Sequence, residues 1–294
     1  MKAAAGQALT SALDAQREEL LHCVHCGFCL AACPTYNRLG DESDSPRGRL
    51  HLMRAVVDGR LDPGSDAFRI HIDRCLGCRA CEPVCPSGVE YGSLLELARE
   101  VSISVHPPGF LTRVLLRVFA SRPLRRLAFA AGRLLRGSGL ASFAARMLPS
   151  RGLAGSGRFA MAMLASTASG RFPAGNEAGG TRSGTTSGAS SGVPPTRPRV
   201  GMLVGCVQEG LYGRINEATQ RVLEANGFEV VEVQGQECCG ALHAHAGALD
   251  GARQLARVNV ARFEAADVDR IAVNAAGCGA TMKEYGHLLS ADPD

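Results

Sequence analysis

The sequence predicts an α-helical domain at the N-terminal side, a basic helical segment after it, and an α/β domain with a parallel sheet at the C-terminal side. Three observations carry this prediction. Two cysteine runs of identical spacing lie among helical patterns in residues 1–105, an acid-free basic stretch fills residues 106–171, and residues 200–294 alternate between strand and helix patterns. Residues 172–199 are rich in Gly, Ser, Thr and Pro, which is typical of a flexible linker.

The chain has 294 residues, enough for about two domains, and all 12 of its cysteines fall in groups of the kind that bind metals. Residues 1–21 carry charges within a helical pattern and lack the apolar core of a secretory signal. No stretch approaches the roughly 18 uncharged apolar residues of a transmembrane helix. Because a chain that is not exported keeps its cysteines reduced, metal ligation is favoured over disulfides. We therefore expect a cytoplasmic protein.

The two cysteine runs in the N-terminal part form an internal repeat. Each has the spacing C-x2-C-x2-C-x3-C-P, and their cysteines are Cys23, Cys26, Cys29 and Cys33 in the first run and Cys75, Cys78, Cys81 and Cys85 in the second. Zinc sites, the alternative, usually use paired C-x2-C units instead of four thiols within eleven residues. The spacing is that of ferredoxins with two [4Fe–4S] clusters.

In such ferredoxins the fourth cysteine of each run ligates the cluster of the other run. The assignment predicted for the first cluster is Cys23, Cys26, Cys29 and Cys85. The assignment predicted for the second cluster is Cys33, Cys75, Cys78 and Cys81.

Helix signals flank both runs and indicate an α-helical ferredoxin domain. Ser45 is a predicted N-cap with Pro46 as the first helical residue and Gly59 after the C-terminus. The pattern Ser93-x-x-Glu96 predicts a capping box that opens another helix. Arg47 and Arg49 begin the helix between the runs, where they face a partner, the negative charge of a cluster, or solvent.

The basic segment 106–171 contains eleven arginines and no acidic residue. Arg113 and Arg117 are four residues apart among apolar residues, which predicts a cationic amphipathic helix, and Arg125 and Arg126 follow in a second one. This pattern suits docking to an acidic partner subunit, or peripheral contact with the inner face of the cytoplasmic membrane. Helices that simply pack with Arg outside are the alternative. Nucleic-acid binding is not expected, because the segment has no DNA-binding motif.

The C-terminal part predicts a βαβαβ unit, hence a parallel sheet with right-handed crossovers. Its predicted strands are residues 200–204, 228–233 and 271–274, and its predicted helices are 215–226 and 248–265. In such sheets ligands bind beyond the carboxyl ends of the strands. Four cysteines follow those ends and are expected to converge on a third, candidate metal or redox site: Cys206, Cys238, Cys239 and Cys278. Ordinary buried cysteines are the alternative.

Taken together, these motifs resemble a known family. Cys206, the Cys238-Cys239-Gly240 triplet and Cys278 resemble the CCG cysteine-rich domain of heterodisulfide-reductase-type proteins. Two ferredoxin runs before such a domain resemble the iron–sulfur subunits of flavin-linked 2-hydroxy-acid oxidoreductases. Within that group, CVHCGFCLAACPTY, DRCLGCRACEPVCPSGVEYG and CCGALHAH are most similar to the glycolate oxidase iron–sulfur subunit family.

Two positions depart from the family pattern. Thr281 stands where the pattern usually has a last cysteine, which removes one ligand from the candidate third site. The family also has a second CCG domain, whereas this sequence reaches Asp294 after one, so we take residues 200–294 as the first of a pair.

The resemblance implies an electron-transfer subunit of an oxidoreductase complex that acts on CH–OH donors. No Gly-rich dinucleotide fingerprint follows a strand, so FAD is expected on a partner subunit that oxidises glycolate to glyoxylate. Electrons would then leave through the two clusters toward a quinone-type acceptor. The alternatives are the iron–sulfur subunit of a lactate or glycerol-3-phosphate dehydrogenase, and a heterodisulfide-reductase-like thiol–disulfide enzyme.

Overall fold

A computed structural model describes residues 12–167 and 197–290. The predicted linker 172–199 lies almost wholly outside these residues, as does the beginning of the N-terminal helical pattern. The described residues form two units, one of residues 12–120, 236–261 and 275–290, and one of residues 121–167, 197–235 and 262–274. The predicted domain boundaries stay a prediction.

Helices dominate both units and are numbered here in chain order. Up to the predicted linker they are α1 (Arg17–Leu21), α2 (Phe28–Ala32), α3 (Pro34–Leu39), a 3-10 turn (Glu42–Asp44), α4 (Pro46–Val57), α5 (Asp66–Arg74), α6 (Tyr91–Val105), α7 (Phe110–Ala120), α8 (Arg122–Gly137), α9 (Leu140–Met147) and α10 (Gly152–Ser166). Beyond the linker the strands and helices are β1 (Arg199–Leu203), α11 (Cys206–Leu211), α12 (Gly213–Ala225), β2 (Glu229–Val231), α13 (Ala241–His245), α14 (Leu249–Ala265), β3 (Arg270–Val273), α15 (Ala276–Lys283) and α16 (Tyr285–Leu288).

Helix α4, between the cysteine runs, begins and ends where the sequence predicts. The Ser45 side chain accepts a hydrogen bond from the Gly48 N–H, and Pro46 is the first helical residue. A serine at this position satisfies one of the free N–H groups of the first turn. Gly59 follows the C-terminus in the left-handed region, at φ +69°. The cap fixes the residue at which the helix between the two runs begins.

Helix α6 begins earlier than predicted, and the predicted capping box is wrong. The helix starts at Tyr91, and Ser93 lies inside it, where its hydroxyl donates to the Glu90 carbonyl. Glu96 accepts from Arg79 of the second cysteine run instead of capping the helix. A tertiary ion pair therefore uses the side chain that the local pattern assigned to a cap.

The apolar core of the first unit lies between α4, α5 and α6. Its fully buried side chains include Met53, Phe68, Ile72, Leu94 and Leu95, and cluster-run cysteines also pack against this core. Burial of each such side chain contributes about 1.5–3 kcal/mol. The helices that carry the cysteine loops are thus held by a common core.

The second unit contains a three-stranded parallel sheet, as the sequence predicts, and its strand order is β2-β1-β3. Gly201, at the centre of β1, pairs with Val231 on one side and Ile271 on the other. A Cβ at this position would lie 3.0 Å from Val233 and 3.1 Å from Phe263, so the glycine permits close packing on the sheet. The basic segment is helical in this structure, with α7 in the first unit and α8, α9 and α10 in the second.

Candidate iron–sulfur sites

The two cysteine runs follow the same backbone path. His25 and Gly77 occupy equivalent positions of the repeat and both have left-handed φ angles, +56° and +65°. Gly27 and Arg79 are a second equivalent pair, at +87° and +55°. Left-handed residues within each run let the chain fold back on itself, so that successive cysteines approach one point.

The first cavity collects the first three cysteines of run one together with cysteines from run two. Its cysteine lining is Cys23, Cys26, Cys29, Cys81 and Cys85. Arg47 also lines it, and its guanidinium donates to the His25 carbonyl at 3.0 Å and to Glu42 at 2.6 Å. Arg47 therefore ties the first loop to the beginning of α4.

The second cavity joins the last cysteine of run one to the second run. Its cysteine lining is Cys33, Cys75, Cys78 and Cys81. Cys33 is buried at the N-terminus of α3, with Pro34 as the first helical residue. Cys81 lies on both cavities, so the two are immediate neighbours.

Both donor sets fit the iron–sulfur clusters that the runs predict. Each cavity offers at least four thiols, the number a [4Fe–4S] cluster uses. Burial raises the pKa of the Cys29 and Cys81 thiols. Because a ligand must be a thiolate, these positions suit a bound cationic metal, which offsets the cost of a buried negative charge. These cavities are the places where two clusters would be held.

A buried ionic network supports the second cavity. Arg49 lines that cavity, and its guanidinium is fully buried against Asp44 at 3.2 Å. The Asp44 carboxylate also lies 3.0 Å from the His71 ring and 2.9 Å from the Arg74 guanidinium. Burial opposes ionisation of Asp44, but the bonds from His71 and Arg74 outweigh it and hold its pKa below the ordinary value. The network fixes Arg49 beside the cysteines, which the sequence left as one of three alternatives.

Tyr91, the first residue of α6, lines both cavities, and its hydroxyl donates to Cys75 Sγ at 3.5 Å. Burial, together with the nearby Cys75 charge, raises the pKa of Tyr91 well above its ordinary value. The hydroxyl therefore keeps its proton and remains a donor. Sequence reasoning missed this residue, although its place five residues beyond Pro86 was a usable signal.

The first unit also brings together three of the four cysteines of the candidate third site. Cys239 donates a hydrogen bond to Cys278, which lowers the pKa of Cys278, and bonds to Cys238 and Cys278 raise the pKa of Cys239. Tyr285 donates to the Cys239 carbonyl at 2.8 Å. Cys206 belongs to the second unit, at the beginning of α11, and the predicted convergence of all four cysteines stays a prediction.

Position 281, where the family pattern has a cysteine, holds a buried threonine on α15, one turn beyond Cys278. Asn259 donates to the Cys238 carbonyl at 3.0 Å, and its own oxygen accepts from the Glu237 N–H at 2.8 Å. The adjacent cysteine pair is thus held through its backbone, whether or not its sulfurs bind metal.

Helix α13, which follows the CCG triplet, reaches the second cysteine run through His245. A Cβ on Gly77 would lie 2.9 Å from the His245 ring, so the absence of a side chain makes room for the imidazole. Arg99 donates to the Cys75 carbonyl beside it. Burial lowers the pKa of His245, and Arg99 and Arg79 act in the same direction. His245 is the last residue of the stretch CCGALHAH, and the resemblance to the family implied no role for it.

The second unit contains a basic cavity of about 700 Å³, lined mainly by α8 and α11. Arg125 and Arg126 both line it, but Arg125 is only 4% exposed. Arg133 donates to the Gly210 carbonyl at 2.9 Å, and Arg136 donates to the Thr167 carbonyl at 2.8 Å. Several arginines of α8 therefore have packing roles within this unit, which favours the structural alternative for them.

Two family models match the chain in the expected places. A 4Fe–4S dicluster domain matches residues 19–89, and a cysteine-rich domain, CCG, matches residues 200–283. The first contains all eight cysteines of the two runs, and the second contains the other four. The predicted iron–sulfur and CCG character of these segments is confirmed.

Curated relatives cover almost the whole chain. It is 39% identical over 282 residues to the probable glycolate oxidase iron–sulfur subunit of Bacillus subtilis, covering 94% of this chain and 61% of that protein. It is 36% identical over 275 residues to the glycolate oxidase iron–sulfur subunit of Escherichia coli, covering 92% and 59%. Lactate utilization protein A of Exiguobacterium is 31% identical over 96 residues, 33% of this chain and 39% of that protein.

The chain spans about three fifths of the length of the two glycolate oxidase subunits. No solved structure matches it. None of the helices in the described ranges is long and apolar enough to cross a membrane. The predicted resemblance is confirmed: over almost its whole length this chain is similar to glycolate oxidase iron–sulfur subunits, and it has a 4Fe–4S dicluster domain followed by a CCG cysteine-rich domain.

Proposed function

We propose that this chain carries electrons in a glycolate-oxidising complex, from an FAD-binding subunit through two [4Fe–4S] clusters toward a quinone-type acceptor. The observation that carries the proposal is the pair of adjacent cavities, each lined by at least four thiols and sharing Cys81 and Tyr91. Clusters of this type pass one electron at a time. The chain's own part is to hold the two sites next to each other.

The proposed ligands are those of the crossed assignment. Cys23, Cys26, Cys29 and Cys85 would hold the first cluster. Cys33, Cys75, Cys78 and Cys81 would hold the second. Cys206, Cys238, Cys239 and Cys278 form the candidate third site, for which three members in one unit are the support.

The test is reduction of the clusters by substrate. The chain, purified anaerobically and combined with the flavin subunit, is mixed with glycolate and followed by EPR and by glyoxylate formation. We expect reduced-cluster signals only with both the flavin subunit and glycolate present. A complex that forms glyoxylate while the clusters stay oxidised would contradict the proposal.

A second candidate substrate is lactate, because the match to lactate utilization protein A covers 96 residues at 31% identity. The same experiment with lactate in place of glycolate separates the two. Faster cluster reduction by lactate would favour this alternative.

The iron content provides a direct prediction. Because two cubane clusters hold about eight irons and eight sulfides, we expect these amounts per chain in anaerobically purified protein. Iron and acid-labile sulfide analysis measures both. Stoichiometric zinc without labile sulfide would contradict the cluster assignment.

Helix α7 is the proposed docking face for the flavin subunit, with weak membrane association of the complex. It has no buried residue, and its exposed apolar side chains include Phe110 and Leu111, which are 76% and 69% exposed. Arg113 and Arg117 are exposed on the same helix. An exposed cationic, apolar helix is suited to an acidic protein surface or an anionic lipid surface.

We expect the double variant Arg113→Gln and Arg117→Gln to weaken flavin-subunit capture at low salt, with a smaller difference at high salt. Flotation with anionic liposomes is expected to fall too, since each basic residue near such a membrane contributes about 1 kcal/mol. The matched control carries the same change to Gln at Arg60 and Arg69, which are ion-paired to Asp58 and Asp66. Unchanged capture and flotation with intact clusters would leave α7 without a docking role.

A further inference from the structure

The two cavities differ in the groups that approach their sulfurs. Hydroxyl groups approach the second cavity: Tyr91 donates to Cys75 Sγ at 3.5 Å, and Thr35 Oγ1 lies 3.1 Å from Cys33 Sγ. The Gly77 N–H also donates to Cys75 Sγ, at 3.5 Å. At the first cavity, within the described part of the chain, the corresponding contacts to the Cys29 sulfur come from backbone N–H groups, those of Arg47 and of Cys29 itself, and not from a hydroxyl.

The cavities also differ in charge. Arg49 and Arg79 both line the second cavity, whereas Arg47 lines the first. Arg49 is fully buried, and the side chain of Arg79 is 14% exposed. Both are ion-paired, Arg49 with Asp44 and Arg79 with Glu96, so these carboxylates offset part of the positive charge that the two guanidiniums present to the cavity.

Reduction adds one negative charge to a cluster, so donors and cations around the sulfurs favour the reduced state. Burial acts in the opposite direction, and Cys33 and Cys81 of the second site are buried. Low polarity also strengthens each hydrogen bond and each fixed cation at the same place. The hydroxyl of Tyr91 can be removed by Tyr91→Phe with the rest of the side chain unchanged.

We propose that Tyr91 tunes the second cluster: the hydrogen bond from its hydroxyl to the Cys75 sulfur raises the reduction potential of that cluster above that of the first. The proposal rests on the proposed cluster assignment. It makes the second site the accepting end of the pair. One electron passes from the first site to the second, so the first is oxidised as the second is reduced, and no bond forms or breaks.

The test is an anaerobic redox titration of the whole chain followed by EPR, with dithionite and mediators and without any substrate or partner. The signal of the second cluster is the one that Cys78→Ser alters, because Cys78 lies only on the second cavity. In the unmodified protein we expect this cluster to be reduced first. In Tyr91→Phe we expect its reduction equilibrium constant to fall about tenfold, which for one electron is about 59 mV.

The matched control is Tyr36→Phe, because in the described part of the chain the Tyr36 hydroxyl makes no hydrogen bond to a cysteine. Both potentials are expected to stay unchanged in this variant. An unchanged second potential in Tyr91→Phe, or a first cluster that is reduced before the second in the unmodified protein, overturns the proposal. Because no substrate enters the titration, these outcomes are independent of whether glycolate is the donor. A chain without a second cluster overturns the cluster assignment itself.

Discussion

Replacing Cys33 by serine is expected to destroy the cluster of the other cysteine run and to spare the cluster of its own. Cys33 lies on the cavity of Cys75 and Cys78, and it is absent from the lining of the first cavity. Serine is a poor ligand for iron compared with a thiolate. We expect the iron content to fall from about eight to about four per chain, since each cubane holds four irons.

The matched variant is Cys85→Ser, which removes the corresponding cysteine of the second run. Cys85 lines the first cavity and not the second. We expect the two variants to lose different EPR signals, each keeping the signal that the other loses. If each variant lost the cluster of its own run, the crossed assignment would be wrong and each run would hold its cluster alone.

The internal repeat makes the left-handed residues of the two cysteine runs predictable from the sequence. Gly27 and Gly77 lie between ligands, where a chain that folds closely around a cluster profits from a residue without a Cβ. Because the runs are related by a shift of 52 positions, each glycine also predicts a left-handed residue at its counterpart. Those counterparts are Arg79 and His25, and both have φ near +55°. The repeat therefore predicts the left-handed conformation of Arg79 and His25, which their own residue types do not indicate.

Other features needed the tertiary structure. The cap of α4 depends on neighbouring residues alone, so Ser45 and Pro46 were enough to predict it. Glu96 matched a local capping pattern equally well, yet Arg79, 17 positions away, binds it. Likewise nothing near Arg49 in the sequence indicates burial, because two of the groups around Asp44 come from α5. Local rules fail where a distant charge supplies a stronger partner.

The buried carboxylate of Asp44 is expected to control the stability of the first unit. In Asp44→Asn the side chain keeps its size but loses its charge, so the fully buried guanidinium of Arg49 loses its carboxylate partner. Breaking a buried pair in this way costs about 3–5 kcal/mol. We expect a correspondingly lower free energy of unfolding at pH 7, measured by urea denaturation of the cluster-loaded protein under anaerobic conditions.

Asp66→Asn is the matched control, because Asp66 pairs with Arg69 on the surface, where its side chain is 77% exposed. A surface pair of this kind contributes about 0–1 kcal/mol, so this variant is expected to unfold close to the unmodified protein. Equal losses of unfolding free energy in the two variants would show that the Asp44 network stabilises the fold no more than a surface ion pair does.

Because of the same network, the free energy of unfolding is expected to fall at low pH. The pKa of Asp44 in the folded chain lies below its ordinary value of 3.8, so the unfolded chain takes up the proton more readily. The contribution of Asp44 is therefore complete above its unfolded pKa and is lost as the pH falls through the folded pKa. We expect the difference in unfolding free energy between the unmodified protein and Asp44→Asn to be constant near neutral pH and to shrink below about pH 4. Urea titrations of both proteins at several pH values measure it, and a difference that grows on acidification would mean that the folded carboxyl binds its proton more tightly than the unfolded one does.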